Sequence, residues 1–80
     1  MPELPLCSSG DVIKALTKAG FQPRGKSKGG SHQAYVRRAS PRNFTAIVVL
    51  NKKEIPRGTL AGILRQANLS HEEFLILLKG

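Results

Sequence analysis

The run Phe44-Thr45-Ala46-Ile47-Val48-Val49-Leu50 constrains the fold of this chain more than any other segment. Its β-branched and apolar residues predict a strand, and their continuity predicts a well-covered strand rather than an edge. A strand needs partners. Gln33 to Arg38 supplies one, because Tyr35 and Arg37 alternate with Ala34 and Val36. Residues 22 to 28 are polar and basic, and give a weaker strand signal. Gly29-Gly30 is a natural hairpin connection between these two segments. Arg38 to Asn43, with Pro41, reads as a turn. The expected unit is a three-stranded antiparallel meander.

Helical patterns flank the meander. Ser8 and Asp11 form a capping box ahead of Val12, Ile13, Leu16 and Ala19, which fall on one helical face. The first helix is expected at about Ser9 to Ala19, with Lys14 and Lys18 on its wet side. Gly20 ends it in a left-handed conformation, and Phe21 packs back on its last turn. A second helix is expected from Thr59 to Ala67, with the stripe Leu60, Ile63, Leu64 and Ala67 and with Asn68 as its stop. Ser70 and Glu73 form another capping box, opening a short last helix that carries Phe74, Leu77 and Leu78. The fold class is therefore α+β, in the order α-β-β-β-α with a short C-terminal helix. The first two helices cover one sheet face and leave the other open to a ligand. The 80 residues make a single domain, in which residues 1 to 7, with Pro2 and Pro5, read as a flexible N-terminal arm.

Charge narrows the function. Thirteen Lys and Arg against five acids give a formal charge of +8. Such a density favours nucleic acid, an acidic protein or an anionic membrane surface. Cys7 is the only cysteine, so neither an internal disulfide nor a cysteine metal site can form. His32 and His71 do not resemble a metal-ligand cluster, and no metal or other cofactor is expected. No apolar run is long enough to span a bilayer, and the first residues lack the apolar core of a signal peptide. A cytoplasmic location with no membrane partner is the default expectation.

Within this basic chain, Gly30-Ser31-His32 places one imidazole near a strand start, among cations. A histidine moves a proton near neutral pH, and surrounding cations hold phosphate, so the group points to chemistry on a nucleic-acid backbone. Lys26 and Lys28 are candidates to neutralise the phosphate. Gly29 and Gly30 let backbone approach a substrate, and Ser31 either orients His32 or serves the turn. Arg37, Arg38 and Arg42 are candidates for a nucleic-acid footprint, as are Lys52, Lys53 and Arg57 near the second helix. Tyr35 either stacks on a base or packs in the sheet, and His71 reads as helix surface.

Three blocks together resemble the HicA-type mRNA interferase toxins, also called YcfA-like. They are the first helix with Gly20-Phe21, the segment Lys28-Gly29-Gly30-Ser31-His32, and Lys53-Glu54-Ile55-Pro56-Arg57-Gly58-Thr59-Leu60 followed by Ile63-Leu64-Arg65-Gln66-Ala67-Asn68-Leu69-Ser70. The resemblance runs from Ser8 to about Leu78. It implies a double-stranded-RNA-binding-domain-like fold and a toxin that cleaves mRNA as a small endoribonuclease. It also implies a HicB-type antitoxin covering the active face, and a catalytic histidine at His32. The chain departs from the family pattern at Gln33, where many members carry a second histidine. It departs again at Val49-Leu50-Asn51-Lys52, where many read Val-Pro-x-His. Fewer proton-exchanging side chains are expected as a result. The expected chemistry is metal-independent transfer of the RNA 2'-oxygen to the adjacent phosphorus. The alternatives are a noncatalytic RNA-binding module or a degenerate toxin, and a regulatory protein that docks an acidic partner.

Overall fold

The computed structural model describes residues 4–28, 31–39 and 42–80, the side chains of 26–28 excepted. In chain order it contains α1 (Ser9–Lys18), β1 (Gln22–Lys28), β2 (His32–Arg37), β3 (Phe44–Val49), α2 (Arg57–Gln66) and α3 (His71–Lys79). This is the α+β order expected from the sequence. The strands form one antiparallel sheet in the order β1-β2-β3. The Gly29-Gly30 connection lies outside the described residues, as does part of the turn at Pro41.

Local chemistry sets the helix ends. The Ser8 hydroxyl accepts from the Asp11 N–H (3.1 Å), and the Asp11 carboxylate accepts from the Ser8 N–H (3.0 Å). Ser70 and Glu73 repeat this exchange at α3, at 3.0 Å in both directions. Two orphan donors are satisfied at each helix start. At the end of α1, Gly20 has φ +98°, and the N–H groups of Gly20 and Phe21 donate to the carbonyls of Thr17 and Leu16. Asn68, at φ +58°, closes α2 with the same pair of bonds, from Asn68 to Arg65 and from Leu69 to Leu64. These are Schellman caps, which need one residue in the left-handed region. Ala19 and Ala67 are the C-caps. By contrast α2 opens at Arg57 behind Pro56, with no side-chain cap, two residues before the expected Thr59.

Strand alternation decides which face each residue serves. Tyr35 and Ala46 are cross-strand partners and both are buried, so their face carries the core. The helices pack there: Val12, Leu16, Leu60, Leu64 and Phe74 are all within 1 % of complete burial. Phe21 packs back into this core, as expected, and so do Leu4, Cys7 and Ile55, which the sequence reading left out of it. The described part of the N-terminal arm is therefore docked rather than loose. Leu4 is buried, Cys7 forms an isolated antiparallel bridge with Ile55, and the Ile55 N–H donates to the Cys7 carbonyl (2.7 Å). Apolar residues near a chain end are held this way when burial outweighs the entropy of ordering them.

The expectation that Phe44 to Leu50 is a well-covered inner strand is corrected. β3 is an edge strand, β2 is the central one, and Thr45 and Ile47 are exposed. Only Ala46 and Val48 of β3 are fully buried. The outer edge of β3 is instead blunted by side chains. Gln66 Oε1 accepts from the Ile47 N–H (2.9 Å), and the Ser9 hydroxyl donates to the Val49 carbonyl (2.7 Å). Capping the outward-facing groups removes a template for further strand pairing. At the other edge, β1 carries Pro23, which is tolerated there because an edge residue has no second ladder to feed.

Candidate nucleic-acid interface and catalytic histidine

The residues on the uncovered sheet face follow from the register. His32 pairs with Val49 and with the backbone of Lys28, Ala34 with Ile47 and Arg24, and Val36 with Thr45 and Gln22. His32, Arg24, Gln22, Thr45 and Ile47 are exposed, and Ala34, Val36 and Val49 are half-buried. An apolar floor thus lies between His32 at one end and cationic or polar residues along β1. The Leu50 N–H donates to the Ser31 carbonyl (2.8 Å), so the loop after β3 departs beside Ser31-His32.

The imidazole is oriented by its sequence neighbour. Ser31 Oγ lies 3.0 Å from His32 Nδ1, and both residues are exposed. In the tautomer whose Nδ1–H donates to the hydroxyl, Nε2 keeps its lone pair. The same contact persists when Nε2 gains a proton, because Nδ1–H remains the donor. Cys7 and Glu73 are shaped by their surroundings. Burial first, and the Asp11 carboxylate second, push the Cys7 thiol upward, away from the thiolate form. Hydrogen bonds from Ser70, and the nearby Arg37 charge, hold the Glu73 carboxyl below its usual range. Among the described residues, no three His, Cys, Asp or Glu side chains gather in a group that could hold a metal ion.

The other expected site residues separate into groups. Lys52 and Lys53 are exposed in the loop that leaves β3 beside Ser31. Arg38 and Arg42 are exposed at the far end of β2 and β3, with Arg38 six residues along from His32. Arg57 is exposed, but its Nε donates to the Leu4 carbonyl (2.7 Å), which ties it to the N-terminal arm. His71 is half-buried at the start of α3. The side chains of Lys26 and Lys28, and all of Gly29 and Gly30, lie outside the described residues.

Arg37 is corrected. It shares the parity of Gln33 and Tyr35, so it lies on the helix-covered face. Its guanidinium sits 5.6 Å from the Phe21 ring centre and 5.5 Å from that of Phe44. That placement makes it a packing residue that gains cation–π attraction and shields core aromatics. Its Nε is buried without a hydrogen-bond partner. Tyr35 is likewise buried in the core and not available for stacking.

Gln33 gives the first departure from the family pattern a structural meaning. Between Arg24 and Lys28 the pairing with β2 slips, so β1 bulges opposite Gln33. The Gln33 amide donates to the carbonyls of Arg24 (3.0 Å) and Gly25 (3.1 Å), closing that bulge. Gly25, at φ +73°, supplies the backbone turn within it. Position 33 therefore points to the face opposite His32, and its identity bears on the shape of β1 rather than on proton exchange beside the imidazole. Gln33→Ala is expected to destabilise the fold by about 1–2 kcal/mol through these lost bonds. A urea titration checks this.

Ser9 is the functional-site support that sequence reasoning missed. It is buried at the start of α1. Its hydroxyl donates to the Val49 carbonyl and accepts from the Lys52 N–H (2.9 Å), and its own N–H donates to the Lys52 carbonyl (2.9 Å). One small side chain thus fixes the loop beside the imidazole, with Asn51 at φ +59° making the bend. Ser9→Ala leaves the Val49 carbonyl and the Lys52 N–H without this part-buried partner and is expected to cost about 1–2 kcal/mol. Faster amide exchange at Lys52 than in the parent protein is the site-specific readout.

Among the described residues, no helix is long and apolar enough to cross a membrane. A search among curated proteins returned no match to this sequence. The family model described as the HicA toxin of bacterial toxin–antitoxin systems matches residues 9–69, from the start of α1 through the cap of α2. That match takes in Ser9, the bulge, Ser31-His32 and the loop after β3, and the chain therefore belongs to the HicA toxin family of bacterial toxin–antitoxin systems, which implies an antitoxin partner.

Proposed function

We propose that this toxin is an endoribonuclease that cleaves mRNA on the open face of its sheet, with His32 as the proton-transfer group. The observation that carries the reading is the exposed imidazole whose Nδ1 lies 3.0 Å from Ser31 Oγ, on the face that no helix covers. The RNA 2'-hydroxyl attacks the adjacent phosphorus while Nε2 of His32 takes its proton. The bond from phosphorus to the 5'-oxygen breaks. That oxygen receives a proton from the resulting imidazolium or from water. The products are a 2',3'-cyclic phosphate and a 5'-hydroxyl end, with no change of oxidation state and no metal required. Lys52 and Lys53, on the adjacent loop, supply positive charge near the phosphate as negative charge develops. The chain's net charge of +8 steers RNA toward this surface and gives binding its dependence on salt.

A HicB-type antitoxin is the partner this reading requires. It silences the toxin by covering the open face, where exposed Ile47 offers apolar contact beside the cations. The working location is the cytoplasm, where mRNA and antitoxin are both made.

The test is incubation of the purified protein with a labelled unstructured RNA in excess chelator, followed by analysis of the product ends. Cyclic phosphate and 5'-hydroxyl termini are the expected result. A strict requirement for added divalent metal, or binding without cleavage, would overturn the mechanism. Binding without cleavage would leave a noncatalytic RNA-binding module or a degenerate toxin.

A further inference from the structure

Beyond His32 the open face ends in a second cationic feature. A cavity of about 550 Å³ is lined by Gly20, Gln22, Pro23, Arg24, Val36 and Arg38. We propose that it is a phosphate subsite for the same RNA strand, distant from the scissile bond, with Arg24 and Arg38 as positioning residues. The inference rests on the ribonuclease reading given above.

Four observations carry it. First, Arg24 of β1 and Arg38, the residue after β2, line one concavity, and both are exposed. The planar fork of a guanidinium matches the oxygens of a phosphate better than a point charge does. Second, the cavity is continuous with the reacting face. Arg24 pairs with Ala34, two residues along β2 from His32, which is about 7 Å at the usual rise of a strand. Arg38 is six residues from His32, about 20 Å on the same measure. A strand reacting at His32 and held at Arg38 therefore spans several nucleotides. Third, the floor between them is Ala34 and Val36, side chains without charge or bulk to block a backbone lying across them. Fourth, Gly20, at φ +98°, brings the end of α1 to the cavity wall with no side chain of its own.

Arg24 is the last β1 residue in regular register before the bulge, and its carbonyl accepts from the Gln33 amide that closes it. The geometry thus links the substrate path to a local irregularity of the edge strand. An acidic protein also recognises arginine, but the alignment of the cavity with the row of His32 favours a polymer that reaches both.

The experiment compares the wild type with the double variant Arg24→Ala, Arg38→Ala on two RNAs. One is an unstructured RNA of about twenty nucleotides. The other is a trinucleotide, too short to reach from His32 to Arg38. The expected result is a fall in kcat/KM on the long RNA, through KM, at least tenfold greater than the fall on the trinucleotide. The slope of log affinity against log salt for the long RNA should shrink by about 1.4, the effect of two lost phosphate contacts on a single strand. Equal losses on both RNAs, or no loss on the long one, would overturn the subsite while leaving the ribonuclease intact. So would an unchanged RNA slope accompanied by weakened antitoxin binding, which would assign the cavity to the protein partner. A wild-type protein that neither binds nor cleaves RNA would sink the functional reading itself, and this inference with it.

Discussion

His32→Ala is expected to lower the cleavage rate on unstructured RNA by about 10²–10⁴-fold while leaving the fold and the affinity for RNA nearly unchanged. The separation of effects follows from the placement of the side chain. His32 is exposed at the first position of β2, and its side chain contacts Ser31 rather than the core. Removing it opens no cavity, and the strand keeps its backbone pairs with Lys28 and Val49. Binding is carried mainly by cations, none of which is touched by the substitution. The measurement is single-turnover cleavage in chelator beside a binding titration and a circular dichroism melt. Equal residual cleavage by the parent and the variant would remove His32 from the chemistry. Lost cleavage with lost binding would make it a contact rather than a proton carrier.

The largest effect on stability is expected for Phe74→Ala. Phe74 is completely buried and is the one residue of α3 in that class, with Leu75, Leu77 and Leu78 half-buried around it and Ile76 at 69 % exposure. Truncating a buried phenylalanine costs about 3–5 kcal/mol. A domain of 80 residues has roughly 4–12 kcal/mol in total, at the usual stability per residue. The variant should therefore lose a large share of its stability, and α3 should loosen from α1 and α2. A shift of the urea midpoint, with an unchanged slope, measures the loss. The result also bears on the limits of the folding unit. The family match ends at residue 69, before α3 begins at His71. A cost below about 1 kcal/mol would mean that α3 is an appendage; the expected cost makes it part of the core.

Interactions that span three or four residues were legible in the sequence. The boxes Ser8–Asp11 and Ser70–Glu73, the left-handed stops at Gly20 and Asn68, and the apolar stripe of α2 each depend on residues one helical turn apart. Their chemistry is complete within a short window, so residue types alone name the structure. The sequence also determined the α+β order and the family, and it put an imidazole at the start of a strand.

What the tertiary structure decided was face and edge. A change of one residue in register moves every side chain to the opposite side of a sheet. No local pattern in residues 22–38 reveals which side of the sheet the helices cover, so the sequence reading chose Arg37 for the RNA surface and passed over Arg24. The register does the reverse, burying the Arg37 stem between Phe21 and Phe44 and turning Arg24 to the side of His32. The apolar run of β3 looked like an inner strand because composition does not distinguish a face covered by helices from a face kept open. Ser9 reaches Val49 and Lys52 across 40 and 43 positions, and Gln66 caps Ile47 across 19. Such contacts exist only after the chain has closed on itself, and they set the shape of the surface on which His32 stands.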